Sequence, residues 1–181
     1  MLSALTYPFL LSLLFIWTLG ESVQLESGKK DFADRSWILD WEPPEDIKNK
    51  FLYYVSGFDY DNKPVLIMEW GKWDFQGVAE KGGMEFDNAT IILDQLIDRI
   101  QAGYFAKNDT DVFPPEKEIV VIVDFGGLKL RQIRSPPTFK LMLDRMAKMG
   151  TTYKCIAYGF IVNGKKSTYY NCVTLVSSLL G

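Results

Sequence analysis

The chain has 181 residues, of which 48 % are apolar and 24 % charged, with 20 basic residues against 23 acidic ones and a formal net charge of −3. That much apolar chain folds as one domain without disulfide support, and the charge balance argues against a nucleic-acid partner. No histidine is present, so Ser-His-Asp and Cys-His catalysis, HExxH zinc sites and imidazole acid–base chemistry are all excluded.

Residues 1–20 contain fourteen apolar side chains and no Asp, Glu, Lys or Arg. They read as a secretory signal peptide that stops at Gly20, before the polar Glu21 and Ser22. An uncleaved anchor over residues 2–19 is the alternative, because the run is just long enough to span a bilayer. The chain is therefore expected outside the cell or in the lumen of the secretory pathway. The sequons at Asn88 and Asn108 are its candidate glycosylation sites. Residues 21–33 read as a polar linker, and residues 34–181 as the folded domain.

Pro43-Pro44 followed by Glu45-Asp46 opens a helix, with Ile47, Phe51, Tyr54 and Val55 on one face and Gly57 as its stop. Asp59 to Pro64 reads as a turn before a strand at Val65 to Met68. Between Asp87 and Tyr104, Ile92, Leu93, Leu96, Ile97 and Ile100 recur at helical spacing, while Asp94, Gln95, Asp98 and Gln101 are expected to face solvent. Ile119 to Phe125 is a β-branched run of the kind buried on both faces of a parallel sheet, and Gly126-Gly127 breaks it. Ser135-Pro136-Pro137 begins another helix, which Gly150 closes and which carries Phe139, Leu143 and Met146 on one side. Ile156 to Val162 is a further strand, and residues 167–180 read as a last helix. This alternation predicts an α/β fold with a mixed, largely parallel sheet and crossover helices.

Several clusters imitate chemistry without completing it. Asp59-Tyr60-Asp61-Asn62 starts like a calcium loop, but Pro64 and Trp70 occupy the positions that need Gly and a bidentate Glu. Gly159 and Gly164-Lys165 have phosphate-loop spacing, yet Lys166 follows where Ser or Thr is required. Asp94 and Asp98 sit one helical turn apart on a face that reads as solvated. Cys155 and Cys172 lack metal or redox spacing, and either a single bridge or two buried thiols fits them. No catalytic group, metal or cofactor is thus expected, and the chain does not read as an enzyme. Lys129, Arg131 and Arg134 form a small basic cluster, read either as a solvated loop or as a contact for a phospholipid headgroup.

Five blocks then align in order with one family. Trp41-Glu42-Pro43-Pro44-Glu45, Gly57-Phe58-Asp59-Tyr60-Asp61-Asn62-Lys63-Pro64-Val65 and Gly71-Lys72-Trp73-Asp74-Phe75-Gln76-Gly77 resemble the start of the CRAL-TRIO lipid-binding domain. Val121-Ile122-Val123-Asp124-Phe125-Gly126-Gly127-Leu128 resembles its central strand and following turn, and Phe160-Ile161-Val162-Asn163 a later strand. The resemblance implies a sheet floored by helices that binds one phospholipid, tocopherol or retinoid, and carries it between membranes without covalent chemistry. A lipid lining would be drawn from Val121, Val123, Leu143, Met146, Phe160 and Val162, although the same periodicity fits an ordinary core. The sequence ends at Gly181, inside the helix that follows the last strand. A partial domain with an open apolar groove is therefore expected, prone to seek a membrane surface or another copy of itself. The alternative is a relative that carries no lipid and acts as a protein- or membrane-surface interaction module.

Overall fold

The structure, a computed structural model, describes residues 35–107, 118–129, 132 and 135–164. The leader, the linker, Asn108, Arg131, Arg134, Cys172 and the helix expected over 167–180 lie outside the described residues.

Helix α1 (Glu45–Lys50) follows Pro44, with Glu45 and Asp46 in its first turn and Lys48 and Lys50 in its last, the charge order that the helix dipole favours. It is much shorter than the periodicity predicts. Phe51 leaves helical geometry at φ −130°, and Tyr53–Phe58 forms strand β1 instead. Tyr53, Tyr54 and Val55 are aromatic or β-branched, and antiparallel pairing with β2 (Pro64–Met68) satisfies their backbone groups. Ile47 and Phe51 enter the core as a helical face would require. Tertiary pairing overrides the rest of the pattern. Gly57, with φ 153°, sits where the β1–β2 register shifts, so it serves a bulge and not a helix stop.

The Asp59–Lys63 turn therefore joins two strands, not a helix and a strand. Asp59 Oδ1 accepts from the backbone N–H groups of Asp61 and Lys63 at 2.9 and 2.8 Å, and Asn62 takes the left-handed conformation at φ 62°. These bonds occupy the carboxylate in a local turn.

A 3-10 turn (Trp70–Lys72) leads to α2 (Phe75–Lys81) and α3 (Gly83–Ala102). Then come β3 (Ile119–Asp124), α4 (Pro136–Met149), a 3-10 turn (Gly150–Cys155) and β4 (Ile156–Val162). The sheet order is β1-β2-β3-β4, with β1 antiparallel to β2 and the other neighbours parallel. The α/β class with a mixed sheet is what the structure shows. Both parallel connections step in the same direction across the sheet, and right-handed crossovers therefore place their helices on one face. That face is the core: Leu66, Met68, Ile119 and Val121 pack with Ile92, Leu93, Leu96 and Ile100 of α3 and with Leu141 and Met142 of α4.

The polar side of α3 does not face solvent as expected. Asp94 is only 9 % exposed and Gln95 is buried, because the segment 35–41 and α4 close over them. Gln95 Nε2 donates to the Ile38 and Trp41 carbonyls at 2.7 and 2.6 Å, and Arg99 donates to the Leu39 carbonyl. Asp94 meets Arg35, Arg145 and Lys148, while Asp98 meets Arg35. These groups replace solvent for one carboxylate with a three-cation shell.

Candidate functional site

In a parallel pair, residues in register share a face, so the six candidate lining residues can be placed one by one. Val121 and Val123 are in register with Leu66 and Met68 and turn to the helix side. Val121 is buried in the core, with Val123 and Met146 packed against it. Leu143 is half-buried on α4. Phe160 and Val162 pair with Ile122 and Asp124 and lie on the opposite side of the sheet. The structure thus splits the expected lining between two faces, and the six do not bound one cavity. A one-residue step along β3 changes face, and an apolar run hides that alternation from the sequence.

The second face is apolar and partly exposed, with Val120 buried on it and the aromatic side chains of its two outer strands open to solvent. Tyr54, Ile67, Ile122 and Phe160 form one row across all four strands. Val65, Val120 and Tyr158 form the next. Tyr158 is 57 % exposed, Phe160 52 % and Tyr54 40 %. Parallel strands are ordinarily covered on both faces, which is why β3 reads as apolar throughout. Here only its first three residues are buried, and Ile122 to Asp124 stay half-exposed. Of this open face only Phe160 and Val162 belong to the expected lining, and Tyr54 was expected on a helix. Only the strand pairing brings them together.

Two of the resembling blocks meet at the carboxyl ends of β2 and β3. A Cβ on Gly71 would lie 2.2 Å from the Gly126 carbonyl oxygen, so the two loops touch backbone to backbone. Asp74 caps α2 by accepting from the Gly77 N–H at 2.9 Å, and a Cβ on Gly77 would meet that carboxylate at 2.3 Å. The Gly71, Asp74 and Gly77 spacing therefore has a structural cause: one close approach, one cap, and room for the cap. Behind it stands an aromatic knot in which Trp70 contacts Trp73, Phe75 and Phe125 with ring centroids 5.7 to 6.0 Å apart. Trp73 Nε1 donates to the Leu52 carbonyl, which ties the knot to the start of β1.

Beside these loops is an open depression of about 620 Å³ bounded by Lys72, Asp74, Glu80 and Lys129. Lys72 pairs with Glu69 at 2.8 Å, and Asp74 is engaged as a cap. Of the three candidate headgroup residues, Lys129 is exposed at this rim, while Arg131 and Arg134 fall outside the described residues. Asn88 lies in the second turn of α3 and is half-buried, and the hydroxyl of Thr90 in its sequon is buried without a partner. Cys155 is a free thiol. Among the described residues no group of acids and thiols is arranged to hold a metal ion, and no helix is long and apolar enough to cross a membrane.

No protein-family model and no curated protein matches the chain.

Proposed function

We propose that the chain binds the apolar part of a lipid along the open face of its sheet, in the manner of a CRAL-TRIO-like domain, and that it does so without covalent chemistry. The observation that carries this reading is the row Tyr54, Ile67, Ile122 and Phe160, an apolar surface on strands whose composition suits burial on both sides. A lipid tail is the ligand that this surface fits. It offers aromatic and aliphatic contacts, each buried CH₂ contributes about 0.8 kcal/mol, and no charged group opposes it at the centre of the row. Lys129, beside α2 at the carboxyl ends of the strands, is a cation that a headgroup reaching around those ends would meet, and a phosphate group is the chemistry it would take. The lining we assign is Tyr54, Ile67, Ile122, Phe160 and Val162. Val121, Val123 and Met146 act from the other side as the packing that holds the strands in place.

Flotation with vesicles of phosphatidylcholine tests the reading. The wild-type protein should rise with the vesicles, and Ile122→Asp should remain in the dense fraction while keeping a cooperative melt. A folded wild-type protein that ignores the vesicles would refute it.

A further inference from the structure

Strand β4 is an edge of the sheet among the described residues, and its backbone phase is fixed by one bond. The Phe125 N–H donates to the Val162 carbonyl at 3.0 Å, so Val162 turns its peptide groups toward β3. Alternation along a strand then turns those of Phe160 and Tyr158 the same way. The N–H and C=O groups of Gly159 and Ile161 point outward, and the alternation ends at Ala157, where the register steps from Ile119↔Ile156 to Val120↔Tyr158. The seven residues Ile156–Val162 include no charge and no proline, the two devices that usually blunt an edge. Tyr158, Phe160 and Val162 are exposed on one side of the strand and Ile161 on the other.

We propose that β4 pairs with β4 of a second copy of this chain, antiparallel, about a two-fold axis through Gly159. The strand is self-complementary in that register. Gly159 faces Gly159 as a hydrogen-bonded pair on the axis, and the bulge at Ala157 bounds the paired stretch. Tyr158 then lies directly opposite Phe160 in the closer, non-hydrogen-bonded pairs, which sets one aromatic ring from each copy side by side on the open face. No like charges meet, because the strand has none. A two-fold axis normal to the sheet keeps both helix layers on the same side and doubles the width of the open face. The interaction closes on itself, as isologous contacts do, and leaves β1 as the remaining edge. This pairing does not depend on lipid binding.

Gly159 makes the test clean, since a Cβ there meets nothing within 4 Å and any side chain is accommodated in the single copy. At about 0.1 mM, a concentration at which a small interface is populated, light scattering should give twice the chain mass for the wild type and for Gly159→Ala. Gly159→Lys and Gly159→Glu each place like charges opposite one another at the axis, and each should halve the mass. Mixing the two variants should restore the doubled mass. If Gly159→Lys does not fold, Gly159→Pro removes the outward N–H on the axis, leaves the β3 ladder intact and should likewise halve the mass. A monomeric wild type, with residues 165–181 or nothing along this edge, would overturn the proposal. So would a dimer that survives Gly159→Lys, or a mixture that does not pair.

Discussion

The Asp124 carboxylate at the end of β3 accepts a hydrogen bond from Asn163 Nδ2 at the end of β4, 2.9 Å away, and a second from the Gly126 N–H at 2.7 Å. Two neighbouring strands are thereby tied where they leave the sheet, and Asn163 is held in the left-handed conformation at φ 56°. The Gly126 N–H, then Asn163, hold the carboxyl below the usual range.

Asp124→Ala should lower stability at neutral pH by about 1 kcal/mol, the value of a partly exposed hydrogen bond to a charged group. A depressed folded pKa contributes stability above the unfolded value of about 3.9, and that contribution is lost as pH falls through the lower folded value. Melting temperatures of wild type and variant should therefore differ at neutral pH and converge on acidification below about pH 4. A gap that persists in acid would show that the ionised carboxylate is not the cause.

Gly71 and Gly159 should respond in opposite ways to the same added methyl. At Gly71 the methyl would strike the Gly126 carbonyl, and neither loop can yield as a flexible side chain would. Gly71→Ala should cost about 2–3 kcal/mol by overpacking. Gly159→Ala should change stability by less than about 0.5 kcal/mol. Urea denaturation of the two variants checks both.

Asp94 anchors α4 and the segment 35–41 to α3. Removing it leaves Arg145 with only 11 % of its side chain exposed and no carboxylate beside it, so Asp94→Ala should cost about 3–5 kcal/mol. Asp98, one turn away, should behave differently. Burial pushes its carboxyl up, and Asp94 adds to that against the opposing pull of Arg35. A raised folded pKa means that stability is lost as pH rises through it. Asp98→Asn should therefore be at least as stable as wild type at pH 7, and any advantage should vanish in acid. Loss of stability at neutral pH for Asp98→Asn would contradict this assignment.

Legibility of the fold varied with the length of each pattern. The long run from Ile92 to Ile100 and the apolar block of β4 announce their elements, and β4 spans Ile156–Val162 in sequence and structure alike. Tyr54 and Val55 misled because helical spacing and strand alternation overlap over a few residues, and pairing with β2 decides between them. Asp94 misled for another reason. A carboxylate on a polar face looks solvated until the cations that cover it arrive from residues 51 and 54 positions later and from Arg35. The candidate site was legible only in part. Phe160 and Val162 lie on the open face, but Tyr54, Ile67 and Ile122 join them through register alone, which composition does not encode.

In the proposed complex, lipid tails lie on the open face of the sheet. The direct test is the amount of lipid extracted by organic solvent, per mole of protein, from chain incubated with phosphatidylcholine vesicles and then separated from them. Burial of one phenylalanine ring is worth about 1.5–3 kcal/mol, so Phe160→Asp should reduce the recovered lipid at least about tenfold. Gly159→Lys, which acts only on the strand edge, should leave recovery unchanged, and Lys129→Ala should lower it by less than Phe160→Asp. Equal recovery from wild type and Phe160→Asp, or no lipid on a folded wild-type chain, would rule out lipid binding at this face.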